Sequence, residues 1–486
     1  MRQQSTNRGA TSDSPHPSIA AGLHPDTLTD RGNAKLFISL YGQEFRHVHG
    51  LGWYRWCGYR WEVDQHHTVL WTAGEMADAL ATSDPTGTYQ ATNLVRHRQR
   101  SLSTTGIQAM LAQVAASPDV ALSAQSLDAD PHALCTPEGV VDLKNGTLAP
   151  PAPSIHLHSR STSVTPHHMP TPRWHRFLTD TFGEDAAGQE MIDFLQLLLG
   201  YSITGDVGSR IMPFLHGKGM NGKSVLLDVM VKLMGDYADC APPGFLMQRH
   251  HERHHERHPT DLADLHGRRI VVCSEVNPGD RFDEARVKYL TGSDRIKARR
   301  MREHSFTFTP THKLWLIGNH RPEVGTGGYA FWRRVRMIPF ERIVADDRQV
   351  ENLADVLVAE EGPGILRWLV NGARVYLSGH HDLSGPERVR TATTTYAETE
   401  DHFGRFLGEC CRVAPQLRAE QAELYSAYLR WSEYEGTSPL TAMRFASRVR
   451  EALSMRSAAD MLYSNQRKFY PGIGLLSSAA NPGSSA

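Results

Sequence analysis

Between two apolar runs the chain carries GKGMNGKS, residues 217–224, a phosphate-loop pattern G-x-x-x-x-G-K-S that dictates its own surroundings. The run before it, IMPFLHG, has the length and apolarity of a buried parallel strand. The run after it, SVLLDVMVKLMG, spaces its apolar residues as a helix does and closes on a glycine. Strand, glycine-rich loop and helix in that order aim backbone N–H groups and a helix N-terminus at one anion. Gly217, Lys218, Gly219, Met220, Asn221, Gly222, Lys223 and Ser224 are therefore the expected nucleotide-binding segment. Lys223 would reach the β and γ phosphates and the Ser224 hydroxyl would ligate Mg2+, so ATP and Mg2+ are the expected ligands.

Two more short apolar runs follow, RIVVCSE (269–275) and LWLIGN (314–319), with helical stretches between; DEARVKYLTG offers Asp283 as an N-cap. Strands alternating with helices predict a three-layer α/β domain. Glu275 ends its strand where an ATPase places the carboxylate that orients water and, indirectly, Mg2+. Asn319 ends the third strand, where an amide can hold the attacking water or the γ-phosphate. Lys223, Glu275 and Asn319 form the expected catalytic set.

The 486 residues hold 52 Lys+Arg and 53 Asp+Glu, a balance that removes the simplest sign of a nucleic-acid binder. Read locally, the balance is a cancellation. Residues 286–302 hold seven Lys/Arg against Asp294 alone, whereas residues 346–361 carry six acids and one Arg. Upstream, GWYRWCGYRWEVD (52–64) and VVDLKNGTL (140–148) have the look of β-hairpins in an α/β region. Six cysteines without a C-x-x-C pair, no apolar leader and no run of ~18 apolar residues predict a cytoplasmic protein away from membranes. The repeat RHHERHHERH (249–258) reads as a solvated loop rather than a metal site.

Five blocks in order, GKGMNGKS, VVCSEV, DEARVKYLTGSDRIKARR, THKLWLIGNHRP and YAFWRRVRMIPF, resemble the superfamily 3 helicases, in particular the helicase part of phage and plasmid primases and of the poxvirus-type primase-helicase. The two hairpins upstream are similar to that family's N-terminal domain. The resemblance implies an AAA+-type core assembled as a ring, a homo-hexamer, with ATP between subunits and an arginine supplied in trans. Arg333 and Arg334 in FWRRVR are the candidates by position, with Arg336 not separable from them. It further implies a hairpin over the basic segment that faces the ring's channel, where Lys297, Arg299, Arg300 and Arg302, with His304 beside them, would hold single-stranded DNA without reading bases.

The expected organisation is a polar tail (1–28), an N-terminal poxvirus-type α/β domain (29–170), the ATPase core (171–345), a helical linker (346–395), a small winged-helix-like unit (396–475) and a second tail (476–486). Arg444, Arg448 and Arg450 in that unit would meet an origin or forked DNA, or dock against protein. The function this predicts is an ATP-dependent helicase replicating a phage, plasmid or integrated element, working with a separate primase or replication initiator. Two alternatives stay open: a complete primase-helicase, against which stands the lack of a zinc-ligand cysteine set and of a convincing D-x-D strand, and a nucleotide-gated DNA-loading platform that displaces no strand.

Overall fold

The structure is a computed structural model and describes residues 22–248, 260–274, 276–299, 305–325, 327–344, 350–379, 382–437, 439–455, 461–464 and 467–476. The first unit opens with α1 (Asp30–Tyr41), whose N-cap Thr29 accepts from the Gly32 N–H at 3.1 Å. A meander β1 (Phe45–Val48), β2 (Gly52–Trp56), β3 (Trp61–Val63) follows, then α2 (Thr68–Asp78), α3 (Ala91–Ser101), α4 (Thr104–Ala115) and β4 (Ala121–Leu122), giving a sheet of order β3-β2-β1-β4. The expected tryptophan hairpin is present, and its packing decides what the rings do. Trp56 lies opposite Trp61 with ring centroids 5.3 Å apart, and Trp61 is fully buried under the Arg46 guanidinium. A ring in that place is core, not a stacking platform for bases.

The second hairpin is a three-stranded antiparallel sheet, β5 (Ala133–Thr136), β6 (Gly139–Asp142) and β7 (Thr147–Ala149). It packs on what comes next: α5 (Pro172–Phe182), α6 (Ala186–Ile203), β8 (Met212–His216), α7 (Lys223–Met234), β9 (Ala238–Cys240), α8 (Thr260–Ala263), β10 (Ile270–Cys273), α9 (Glu284–Leu290), β11 (Ile296–Arg299), β12 (Ser305–Phe308), β13 (Lys313–Gly318), α10 (Tyr329–Trp332), β14 (Val335–Pro339) and α11 (Leu353–Ser378). Five of these strands form one parallel sheet, β14-β8-β13-β10-β9. Alternation along each strand feeds two cores. Leu215, Val272, Trp315 and Ile338 face α6, α7 and α11, while Phe214, Val271, Leu316 and Met337 face α9, β11 and α10. Both faces are covered, which is why the strand sequences are apolar throughout.

The sequence predicts a helical linker over 346–395; its first helix, α11, is mostly core. Leu357, Ile365, Leu366, Leu369 and Val370 are fully buried against α6 and α7, so truncating Leu369 to Ala would cost about 2–5 kcal/mol. Its closest approach to α6 is at Gly200 and Gly372, where a Cβ on either glycine would overlap the facing backbone. Glu361 is buried because it caps a distant helix: its two carboxylate oxygens accept from the Arg173 and Trp174 N–H groups, each at 2.9 Å, at the start of α5. One core therefore runs from Ala133 to Val389, across the expected boundaries near 170 and 345.

α12 (Glu387–Glu400) still packs on β14, with Val389 in that core and Tyr396 in the core on the other face of the sheet. Beyond it lie α13 (His402–Cys410), β15 (Cys411–Glu420), α14 (Gln421–Tyr434), α15 (Ala442–Ala452), β16 (Leu462–Ser464) and β17 (Arg467–Leu475), the strands pairing antiparallel in the order β15-β17-β16. The winged-helix expectation rests on two helices followed by a terminal hairpin; α14, α15 and the β16-β17 hairpin stand in that order, preceded by α13 and the strand β15. A separate core of Phe406, Tyr428, Trp431 and Phe445 holds this unit together. Among the described residues, no helix is long and apolar enough to cross a membrane.

Candidate functional site

The carboxyl ends of β8, β10 and β13 converge on one cavity of about 580 Å3, the place where a parallel α/β sheet offers a ligand its loops. Residues 219–224 form one wall, Ser274, Val276 and Asn277 a second, Asn319 and His320 a third. Gly219 and Gly222 adopt φ of +84° and +86°, a conformation that costs glycine little and lets the loop wrap around a small anion. Met220 takes φ of +46° between them and leaves its side chain 66% exposed.

Lys223 opens α7 and is 4% exposed. Its Nζ donates to the Gly217 carbonyl at 2.7 Å and to Asn221 Oδ1 at 2.9 Å. Both acceptors are neutral, and no carboxylate among the described residues compensates the charge. Burial accordingly pulls the Lys223 ammonium below the usual lysine range. A desolvated cation at a helix N-terminus, facing a cavity and bonded to neutral oxygens, has the chemistry to take a polyphosphate and the metal that accompanies it. The Ser224 hydroxyl, exposed one residue on, lines the same cavity, as does Asn319. Glu275 lies outside the described residues; its neighbours Ser274 and Val276 both border the cavity.

Gly217 and Lys218 turn the other way, toward a second cavity of about 810 Å3 on the β14 side of the loop. His216, Met337, Phe340, Ile343, Arg388 and Thr391 line it, and they come from β8, β14, the segment after β14 and α12, spread over more than a hundred residues. Among them only His216 had a positional signal, being the residue before the loop. Burial, with Arg321 the next cause, pushes its imidazole down to about 4, so it is neutral at pH 7.

The three arginines of FWRRVR have separated. Arg334 is buried, with Nε donating to Thr291 Oγ1 at 2.9 Å and a second bond to the Ala330 carbonyl. Arg336 is half-buried, with Nε donating to the Leu383 carbonyl at 2.7 Å. Arg333 is exposed at the end of α10, outside the lining of either cavity beside the loop. Arg334 thus holds α10 to the end of α9, a tie that the exposed Arg333 side chain does not share.

In the basic segment, β11 and β12 pair antiparallel, with Lys297 opposite Thr307 and Arg299 opposite Ser305. Ile296 and Ala298 point into the core while Lys297 and Arg299 are exposed, so strand alternation places both cations on one face. Arg300, Arg302 and His304 lie outside the described residues, as does the histidine repeat. In the C-terminal unit Arg448 bonds Asp401 Oδ1 at 3.1 Å and sits over the Phe403 ring, tying α15 to α13, whereas Arg444 is exposed.

Residues 34–183 match the family described as D5 N terminal like, and residues 215–334 match a family of unknown function (DUF5906). The chain is 25% identical over 271 residues to "Putative helicase L207/L206" of Acanthamoeba polyphaga mimivirus, covering 52% of this chain and 28% of that protein. It is 25% identical over 243 residues to "Putative helicase 022R" of Frog virus 3 (isolate Goorha), covering 46% of this chain and 24% of that protein. The chain thus spans about a quarter of the length of these curated relatives. Among solved structures, the apo NrS-1 C terminal region (305-718) is similar at TM-score 0.43 and 11% identity, over 66% of this chain and 80% of that one.

Proposed function

The chain belongs to the D5-type superfamily 3 primase-helicase family, and on that premise we propose that it is an ATP-dependent DNA helicase that moves along single-stranded DNA as a ring of identical subunits. The observation that carries the proposal is Lys223, a buried ammonium at the head of α7 with no carboxylate partner among the described residues, facing a cavity that three parallel strands end upon.

In this reading the loop N–H groups and Lys223 bind the β and γ phosphates, and the nucleoside half lies in the β14-side cavity against Ile343 and Thr391. Ser224 and, through water, Glu275 would hold Mg2+, which supplies charge neutralisation at the transferring phosphoryl group. Glu275 orients the attacking water, and Asn319 fixes either that water or the γ-phosphate. Arg333 of the adjacent subunit supplies the cation that the transition state requires, since its own site has it outside the cavity. Lys297 and Arg299, joined by Arg300 and Arg302, grip phosphates of the threaded strand.

The test is ATP hydrolysis with and without single-stranded DNA. The wild type should be stimulated by the strand, Lys223→Ala should lose about 100- to 1000-fold in kcat/KM for ATP, and Glu275→Gln should bind ATP without turning it over. Vigorous turnover in both variants would sink the site assignment.

A further inference from the structure

Asn221 borders both cavities, and its side chain is only 3% exposed. Both of its polar ends are occupied: Nδ2 donates to the Phe340 carbonyl at 2.8 Å, and Oδ1 accepts from Lys223 Nζ at 2.9 Å. The amide can face only this way, because an ammonium offers no acceptor and a carbonyl no donor. Lys223 gives another of its three donors to the Gly217 carbonyl at 2.7 Å. Two thirds of the ammonium's donating capacity is thus turned onto the loop's own oxygens, although phosphate binding calls for those same protons.

We propose that Asn221 is a positioning residue that holds Lys223 turned into the empty loop, so that nucleotide entry exchanges the Asn221–Lys223 bond for a phosphate contact and product release restores it. The inference rests on the reading of residues 217–224 as the nucleotide site. It has a thermodynamic signature: an interaction present in the empty site and absent in the filled one opposes binding by its own free energy. Removing the Oδ1 acceptor should therefore tighten nucleotide binding, the reverse of what losing a structural residue does. The loop does not depend on Asn221 alone for its seat. The Phe340 N–H donates to the His216 carbonyl at 2.8 Å, and the Val344 N–H to the Met220 carbonyl at 2.9 Å, so the segment after β14 stays stitched to β8 and the loop when the amide is cut away.

The experiment measures ADP affinity and release, with Mg2+, for the full chain carrying Asn221→Ala, Asn221→Asp or Lys223→Ala beside the wild type. Asn221→Ala should bind ADP about 10- to 150-fold more tightly, the range expected from losing one hydrogen bond to a charged group, with slower release and with KM and kcat for ATP falling together. Asn221→Asp should bind about tenfold more weakly, because a carboxylate holds the ammonium harder and repels phosphate. Should Asn221→Ala not fold, Asn221→Ser, too short to span from Lys223 to Phe340, carries the same test. Unchanged or weaker ADP binding in a variant whose circular dichroism and melting match the wild type would overturn the inference. If instead the wild type binds no ADP, or Lys223→Ala binds it as well as the wild type, the reading of the site itself has failed.

Discussion

Lys223 and the pair Lys297 and Arg299 carry the same charge and meet opposite surroundings. The first is 4% exposed and hydrogen-bonded to neutral oxygens of its own loop; the others stand out on one face of β11. A buried cation acts as a point: its interaction with a phosphate is strong, poorly screened and lost whole when the residue is removed. Exposed cations act as a group, each contributing little, screened by salt and replaceable by a neighbour. The arginines after Gly328 repeat the contrast on a smaller scale, with Arg334 tied to Thr291 and Arg333 presented to solvent.

That contrast breaks first at the arginines, where the largest effect is expected. Arg333→Ala should lower ATP turnover by about a thousandfold, the scale of a lost arginine finger, with its melting temperature unchanged. Arg334→Ala should cost about 2 kcal/mol of stability, read in chemical denaturation, because it uncouples α10 from α9. A reversed pattern would exchange their roles. Next comes Lys223→Ala, which should reduce kcat/KM for ATP by about 100- to 1000-fold while DNA binding by the basic face persists.

The double variant Lys297→Ala with Arg299→Ala should weaken single-strand binding by about tenfold near physiological salt and flatten the slope of log K against log salt by about 1.4, two phosphate contacts at ~0.7 each. Its nucleotide affinity should stay at the wild-type value. If that affinity falls with it, the two regions are not separate as described. The smallest effect concerns acid. Burial pushes His216 and His312 down to about 4 from an ordinary 6.5, and His312 Nε2 lies 3.1 Å from the Leu290 carbonyl. Between those values the unfolded chain binds more protons than the folded one, so stability should fall as pH is lowered from about 6.5 to about 4. His312→Gln should flatten that part of the profile.

Whatever is local and periodic in this fold could be read from the chain. The strand, loop and helix around residues 217–224, Asp283 at the head of α9 and the two upstream hairpins all stand where their spacing puts them. Illegible features depend on partners far along the chain. The charged start of α11 gave no hint that Glu361 would cap α5, 188 residues away in sequence. Nothing in FWRRVR distinguishes Arg333 from Arg334 until Thr291 is seen to take one of them. The β14-side cavity draws on α6, β14 and α12, and no motif joins those segments.

The account stands on nucleotide chemistry at Lys223 driving the basic face along a strand, and displacement of a strand from a forked duplex tests it directly. With ATP and Mg2+ at low salt the wild type should release the strand, Lys223→Ala should release none, and the Lys297→Ala, Arg299→Ala variant should hydrolyse ATP while releasing far less. Hydrolysis by the wild type with no displacement on any fork, or full displacement by either variant, would contradict it.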